Sequence, residues 1–223
     1  MHAANRLRYS RIANAYDAFL TFSGFKRGIE NFLDRLEIEL PPAPKILDAG
    51  CGTGLLARYL ARRFPEAEIY ATDIDAAMLR ELKGIAMREG IGRQRLVIAQ
   101  SDLRAPGELR ELVSGRPLTL PEAFFDAITV SGALEHVPLE ASMRHLARLL
   151  KPGGAFINIG LRKSPTGTIL GMMYRCRPYE VSRMRQACLA AGMTDVRIER
   201  LRPEDFPANL SRIAVIATKR AVP

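Results

Sequence analysis

The sequence predicts an α/β fold, a doubly wound sheet of seven strands that is mostly parallel with one antiparallel strand. Short apolar runs alternate with segments of helical periodicity from Lys45 onwards, which is typical of parallel strands joined by crossover helices. A glycine-rich turn directly follows the first apolar run, where a strand passes into a helix. No linker or internal repeat interrupts the pattern, so we expect one domain over residues 1–223, with helical residues 1–42 before an α/β core at 43–223.

Periodicity places the individual elements. Apolar runs predict strands at 45–49, 68–72, 95–99, 125–130, 154–160, 195–201 and 211–218. Helical spacing of apolar residues predicts helices near 54–64, 75–89, 139–150 and 179–191, preceded by two more at 5–22 and 25–40. We expect the long connection at 104–123 to add a helix around 107–113.

Charge and composition restrict the class of protein. The chain has 33 Lys and Arg against 24 Asp and Glu, and residues 151–223 hold 13 of these basic and 5 of these acidic side chains. A basic surface attracts anionic partners such as nucleic acid, acidic lipid or acidic metabolites, although a solvated Arg-rich face gives the same count. No apolar run could span a bilayer, and three cysteines without metal-ligand spacing indicate neither disulfides nor a metal site. We expect a cytoplasmic protein.

The glycine-rich turn runs from Asp48 to Gly54 with the sequence Asp-Ala-Gly-Cys-Gly-Thr-Gly. A dinucleotide fingerprint would need glycine where the chain has Leu55, and a Walker loop would need a lysine after its last glycine. The spacing Asp-x-Gly-x-Gly-x-Gly instead resembles motif I of the class I S-adenosylmethionine-dependent methyltransferases. This resemblance implies a Rossmann-like core that binds S-adenosyl-L-methionine and releases S-adenosyl-L-homocysteine.

Acidic residues also follow the second and third predicted strands. A carboxylate at Asp73 can accept both hydroxyls of a ribose, although a generic helix cap is an alternative role. Asp102 can accept the amino group of an adenine while the amide of Leu103 donates to the ring, and an acid at this third strand end is much less typical of NAD-binding domains. The resemblance places Ile74 beside the adenine, whereas Asp75 is expected to cap the next helix.

A segment near the N-terminus carries a second resemblance. Residues 9–17, which include Tyr9, Tyr16 and Asp17, resemble an aromatic-x-x-Ile-Ala-x-x-Tyr-Asp segment of the quinone-biosynthesis methyltransferases. The resemblance implies that residues 1–42 form a helical lid with Tyr16 over the cofactor, although plain core packing would give the same pattern. The full set of cofactor-binding residues that it implies is Tyr16, Asp48, Gly50, Cys51, Gly52, Gly54, Asp73, Ile74, Asp102, Leu103 and Ser131.

The end of the fourth strand faces the methyl group in this family. Nucleic-acid amino methyltransferases have Asn/Asp-Pro-Pro-aromatic here to hold an extruded base, whereas this chain has Ser-Gly-Ala-Leu from Ser131. The following Leu-Glu-His-Val resembles small-molecule methyltransferases, and His136 is the candidate general base because imidazole titrates near neutral pH. A loop-packing or helix-capping role for His136 is the alternative.

The segment 162–178 borders the acceptor pocket in this fold, so Met172, Met173 and Tyr174 are candidates to line an apolar site or to pack a helix into the core. The predicted activity is methyl transfer to a small-molecule acceptor, such as a quinone precursor. A phospholipid or other membrane-surface substrate is the alternative, through peripheral contact with anionic membrane. RNA or protein methylation, with nucleic acid an unlikely partner, and cofactor binding without transfer are further alternatives. The acceptor atom and oligomeric state do not follow from the sequence.

Overall fold

The computed structural model describes residues 22–221, and nine strands in this part of the chain form one mixed sheet between helices. The strands are β1 (Lys45–Ala49), β2 (Glu68–Asp73), β3 (Leu96–Gln100), β4 (Glu108–Glu111), β5 (Pro117–Thr119), β6 (Phe125–Ser131), β7 (Leu150–Leu161), β8 (Met193–Arg200) and β9 (Arg212–Lys219). The helices are α1 (Phe25–Asp34), α2 (Leu55–Arg63), α3 (Ala76–Arg88), α4 (Leu139–Leu149), α5 (Pro165–Tyr174) and α6 (Val181–Ala190). Three 3-10 turns lie at Leu134–His136, Pro203–Asp205 and Ala208–Leu210. No helix among the described residues is long and apolar enough to cross a membrane.

The strand order is β5-β4-β3-β2-β1-β6-β7-β9-β8, which places β1 at the centre. β1 pairs in parallel with both β2 and β6, and the register sets Ala49 opposite Thr72 on one side and Val130 on the other. The sheet grows from β1 towards β3 in one direction and from β6 towards β7 in the other, so the reversal of strand order lies between β1 and β6. The predicted α/β class and mostly parallel sheet are confirmed.

The central strands are buried on both faces, as expected for parallel strands under two layers of helices. Ile46 and Leu47 are neighbours on β1 and point to opposite faces, yet each is 0% exposed. Ile46 packs with apolar side chains of α1, α2 and α3, and Leu47 packs with those of α4 and α6. These two cores hold the strand ends of the sheet in fixed positions.

Two predicted elements differ from the structure. The expected helix around 107–113 is wrong, because residues 108–119 form the antiparallel hairpin β4–β5 against β3 and raise the strand count from seven to nine. The described sheet therefore has two antiparallel strands, β4 and β9, where one was expected. The expected helix 25–40 ends at Asp34, because Leu36, Ile38 and Leu40 alternate with acidic residues and pack against the core from an extended segment. The expected helix 5–22 and its Tyr16 lie outside the described residues.

Candidate functional site

A cavity of about 350 Å³ opens at the carboxyl ends of β1, β2, β3 and β6, a volume suited to a small ligand. The structure brings most of the sequence-predicted site residues to its wall: Asp48, Gly50, Cys51, Gly52, Asp73, Ile74, Asp102, Leu103, Ser131 and His136. Gly54 is not among the described lining residues, and Tyr16 lies outside the described part of the chain.

The three glycines of the turn meet different surroundings. A Cβ at Gly50 would lie 2.4 Å from the Cβ of Ala133, so this glycine lets the turn pack against the loop after β6. A Cβ at Gly54 would lie 2.2 Å from Cδ1 of Leu82, so that glycine lets α2 approach α3. Gly52 has a φ of +55° and a Cβ there would meet nothing within 4 Å, which leaves its backbone open to the cavity.

Asp48 is a buried carboxyl, 1% exposed, at the inner end of the cavity. The hydroxyl of Thr129 donates to its Oδ1 at 3.0 Å, and the amide of Ala57 in the first turn of α2 donates to its Oδ2 at 2.9 Å. Burial raises the pKa of Asp48 to about 7, although these two donors oppose the rise. Asp48 therefore ties β1 to β6 and to the start of α2.

Asp73 ends β2 and supports the glycine turn. Its Oδ2 accepts the amide of Gly52 at 2.8 Å and its Oδ1 accepts the amide of Asp75 at 2.9 Å. Burial raises the pKa of Asp73, while these amides lower it. A carboxylate has about four acceptor positions, so each oxygen keeps capacity for one further donor on the cavity side.

Asp75 has the capping role expected from the sequence, since its Oδ1 accepts the amide of Ala77 at 2.8 Å at the start of α3. Its second oxygen, Oδ2, is buried without a hydrogen-bond partner among the described residues. Asp75 also lines the cavity, at the same end as Asp73.

Asp102 lies at the end of the cavity formed by the loop after β3. Nε of Arg104 donates to both of its oxygens, at 3.0 and 2.9 Å, so the carboxylate is fixed by an ion pair. Ile74 and Leu103 add apolar surface beside it, and the carbonyl of Ile74 accepts from Gln100 at 2.8 Å. An adenine amino group would share the Asp102 carboxylate with Arg104.

Ser131 and His136 lie at the opposite end, where β6 terminates. Gly132 has a φ of +62° and its amide donates to the carbonyl of Ile159 at 3.1 Å, which turns the chain across the end of β7. His136 closes the 3-10 turn Leu134–His136 and faces the cavity. An imidazole is therefore placed on the cavity wall beside the end of the fourth core strand.

Sequence reasoning missed several side chains on the cavity wall, among them Phe25 and Arg212. Phe25 begins α1 and Arg212 begins β9, which are far apart along the chain. Cζ of Arg212 lies 5.3 Å from the centre of the Phe25 ring. An arginine at the start of an otherwise apolar strand was the available signal for Arg212.

The segment 162–178 is only partly at the cavity. Tyr174 and Cys176 line it, whereas Met172 and Met173 on α5 point to solvent and are 73% and 53% exposed. The expectation that both methionines line an apolar site, or pack into the core, is wrong.

Nucleophilic and metal chemistry find little support among the described residues. Burial raises the pKa of the Cys51 thiol well above its usual range, and the nearby Asp48 and Asp73 raise it further. The thiol is therefore neutral near pH 7, which disfavours it as a nucleophile. No group of three or more His, Cys, Asp or Glu side chains within residues 22–221 is arranged to hold a metal ion.

Comparison with known proteins identifies the class. The methyltransferase domain family matches residues 46–154, from β1 into β7. The demethylmenaquinone methyltransferase of Thermus thermophilus is 30% identical over 169 residues, covering 75% of this chain and 70% of that relative. The chain belongs to the class I S-adenosylmethionine-dependent methyltransferases, and this prediction from the glycine turn is confirmed.

Individual relatives extend the comparison. The chain is 36% identical over 139 residues to the ubiquinone biosynthesis O-methyltransferase of Alkalilimnicola ehrlichii, covering 58% of this chain and 48% of that one. The geranyl diphosphate C-methyltransferase of Streptomyces coelicolor has the same fold, with a TM-score of 0.68 at 14% identity over 86% of this chain and 79% of that one. The chain spans about half the length of several curated relatives that it matches, between 39% and 53%.

Proposed function

We propose that this chain binds S-adenosylmethionine in the cavity and transfers its methyl group to a small-molecule acceptor. The observation that carries the proposal is that one cavity joins a polar end, at Asp73 and Asp102, to the end of β6, at Ser131 and His136. The polar end fits an adenosine, and the β6 end leaves room for an acceptor. Binding both molecules in one cavity places the reacting atoms together.

The cofactor fits the residues present. The open backbone at Gly52 gives space for a bulky group against the turn. Each oxygen of Asp73 keeps acceptor capacity for one of the two ribose hydroxyls. These acceptors match the donors that a ribose presents.

The chemistry divides between cofactor and protein. A sulfonium supplies a methyl group whose departure leaves a neutral thioether, so the difficult part of the reaction belongs to the cofactor. The protein orients the acceptor and excludes water, and such positioning contributes on the order of 7–11 kcal/mol. His136 is placed to remove a proton from an acceptor hydroxyl when one is lost.

The apolar part of the wall suits the ring of an aromatic acceptor. Val137, Pro138 and Leu161 line the cavity at the β6 end, together with Phe25. Two relatives are named a ubiquinone biosynthesis O-methyltransferase and a demethylmenaquinone methyltransferase, which supports a quinone precursor or a similar aromatic metabolite as the acceptor.

The direct test is methylation of a metabolite extract with isotope-labelled S-adenosylmethionine, read by mass spectrometry. We expect at least one labelled small molecule that is absent without the protein. Titration calorimetry with S-adenosylhomocysteine runs beside it. Binding of S-adenosylhomocysteine without any labelled product would favour a cofactor-binding module. The absence of both binding and labelled product would contradict the proposal.

The role of His136 can be tested once an acceptor is known. His136→Gln should lower kcat by about 100-fold or more while leaving S-adenosylhomocysteine affinity unchanged, because a general base acts only in the chemical step. His145→Gln is the control, since His145 lies exposed on α4. An unchanged kcat would mean that His136 only packs the loop.

We also propose peripheral contact with anionic membrane through α5. Ile169, Met172 and Met173 are each more than half exposed, and Arg175 and Arg177 follow them on the surface. Exposed apolar side chains beside basic ones favour the interface of an anionic bilayer. This surface adjoins Tyr174, which lines the cavity, so an apolar acceptor could pass between membrane and site.

Co-sedimentation with phosphatidylserine-containing vesicles at low salt tests this contact. Met172→Ser should weaken binding, whereas Met87→Ser, which removes a methionine 66% exposed on α3, should not. The proposal fails if the wild type stays in the supernatant or if both variants bind equally.

A further inference from the structure

Arg212 occupies a defined place at the cavity. It is the first residue of β9 and pairs with Leu161, the last residue of β7. Because β9 is antiparallel to β7, Arg212 lies at the same edge of the sheet as the end of β6. Its side chain lines the cavity, although the residue is only 7% exposed.

The guanidinium of Arg212 has unsatisfied hydrogen-bond donors within the described part of the chain. Its Nε and Nη1 are buried without a hydrogen-bond partner among residues 22–221, and it forms no ion pair with an acidic side chain there. Glu135 lies near the same edge: its Oε1 accepts the amide of Leu161 at 2.5 Å and its Oε2 is buried without a hydrogen-bond partner among the described residues, so its carboxylate forms no ion pair with Arg212. The Phe25 ring at 5.3 Å offers a cation–π contact, which is weaker than a charge partner.

Two buried guanidinium donors, Nε and Nη1, without hydrogen-bond partners among the described residues are costly, so they indicate a missing acceptor rather than a structural role. Ordinary packing would be served as well or better by an apolar side chain of similar size. Arg also suits this task because its planar group binds carboxylate oxygens with fixed geometry.

The loop after β6 gives the guanidinium its place. A Cβ at Gly132 would lie 2.8 Å from Nη1 of Arg212, so the guanidinium packs directly against this glycine. Gly132 also lines the cavity, between Ser131 and Ala133. Arg212 is therefore beside the strand end to which the proposed function assigns the acceptor.

We propose that Arg212 binds an ionised oxygen of the methyl acceptor, a carboxylate or a phenolate, and thereby selects anionic acceptors. The inference rests on the proposed function, because it assigns a second ligand to the same cavity. A bound sulfonium adds a positive charge there, and two cations together favour an anionic partner. The methionine carboxylate of the cofactor has the same chemistry, but Arg212 lies two strands beyond β6, on the side away from Asp73.

The test uses protein saturated with S-adenosylhomocysteine and three aromatic probes: benzoate, 4-nitrophenol above its own pKa, and uncharged methyl benzoate. Titration calorimetry measures binding of all three, and the absorbance of 4-nitrophenol also reports its ionisation. The variants are Arg212→Met, which keeps the bulk without charge, and Arg212→Lys, which keeps the charge. Arg197→Met on the neighbouring strand β8 is the matched control, since Arg197 is exposed.

We expect the wild type to bind benzoate or the phenolate about tenfold more tightly than methyl benzoate, because a charge-assisted hydrogen bond is lost in the ester. The stronger of the two anions identifies the acceptor group. Arg212→Met should bind the anion and methyl benzoate equally. Arg212→Lys should keep part of the preference for the anion, and Arg197→Met should keep all of it. The pKa of bound 4-nitrophenol should be lowered in the wild type, Arg212→Lys and Arg197→Met, which keep a cation at position 212, and not in Arg212→Met.

Three results would overturn the inference. The first is equal binding of charged and uncharged probes by the wild type, including no binding of any. The second is a preference that survives in Arg212→Met. The third is a fall in S-adenosylhomocysteine affinity in Arg212→Met, which would assign the residue to the cofactor carboxylate. If the wild type does not bind S-adenosylhomocysteine at all, the proposed function itself is contradicted.

Discussion

Asp48 and Asp73 lie at the carboxyl ends of neighbouring strands, yet their environments give them different roles. Asp48 is 1% exposed, and both of its oxygens are used within the protein, by Thr129 and Ala57. Asp73 accepts one backbone amide on each oxygen and faces the cavity. Asp48 therefore fixes the geometry of the site, and Asp73 is the carboxylate suited to contact the ribose.

The first prediction concerns Asp73. Asp73→Ala should lower S-adenosylhomocysteine affinity by about 2–4 kcal/mol, because the ribose hydroxyls would lose a buried partner and the Gly52 amide its acceptor. Titration calorimetry measures the change, with Glu66→Ala on the surface as control. Equal affinity in both variants would show that Asp73 does not contact the cofactor.

The second prediction separates backbone strain from ligand space. Gly52 and Gly192 both have positive φ, at +55° and +80°, and neither would crowd an added Cβ. Alanine at either position should therefore lower the free energy of unfolding by about 1–2 kcal/mol. Only Gly52→Ala should also weaken S-adenosylhomocysteine binding, because only its Cβ would project into the cavity. A similar loss of affinity in Gly192→Ala would contradict this interpretation.

At the scale of elements, α1 is held against the turn Pro203–Asp205. A Cβ at Gly28 would lie 2.2 Å from the carbonyl oxygen of Asp205, so the helix and the turn are in direct backbone contact. Nη2 of Arg35 donates to the fully buried Asp205 at 2.5 Å, and this carboxylate raises the pKa of Arg35. Because Phe25 begins α1, the docking of this helix also brings Phe25 to the cavity wall.

The third prediction compares two helical glycines. Gly84→Ala in α3 should stabilise the protein by about 0.5–1 kcal/mol, because its Cβ would meet only Arg88 Nη1 at 3.5 Å and alanine is the better helix former. Gly28→Ala should destabilise it, since the clash with Asp205 outweighs the same gain. Urea unfolding of both variants measures the sign, and stabilisation by Gly28→Ala would show that α1 is free to shift.

The elements that the sequence predicted well are those with one clear period. The four core helices begin and end within two residues of their predicted bounds, because apolar side chains recur on one face of each. The hairpin at 108–119 was missed because its strands have four and three residues, and Glu-Leu-Arg-Glu is also good helix sequence. Tertiary pairing with β3, which no local pattern records, decided its structure.

The candidate site divides in the same way. Asp48, Asp73 and Asp102 were found because each lies at or just after the carboxyl end of a strand, and the carboxyl ends of parallel strands lie together. Phe25 and Arg212 could not be placed, because their positions depend on α1 docking and on the antiparallel insertion of β9 between β7 and β8. Contacts between distant parts of the chain leave no periodic signal at either residue.

At the scale of the whole molecule, pH links the site to global stability through Asp48. Burial raises its folded-state pKa to about 7, above the ordinary 3.8, so the folded chain holds this proton more tightly than the unfolded chain. The stabilisation of the folded state by this proton on Asp48 is fully present below about pH 4 and is lost as pH rises to about 7.

The fourth prediction follows from this linkage. Between pH 5 and pH 8, the free energy of unfolding of the wild type should fall relative to Asp48→Asn by about 2–3 kcal/mol, because Asn has no proton to lose. Urea unfolding of both proteins at four pH values gives the difference. Parallel pH profiles would show that Asp48 does not titrate in this range.

The two outer strands of the nine-stranded sheet bear on how copies of the chain meet in concentrated solution. β5 has three residues and begins with Pro117, which cannot donate a backbone hydrogen bond. β8 is interrupted by an irregular register between Thr194 and Arg197, and Arg197 is charged and exposed. Short, proline-bearing, distorted or charged borders are poor templates for a further strand. We therefore expect fibrillar growth by strand addition to be disfavoured on both sides of the sheet.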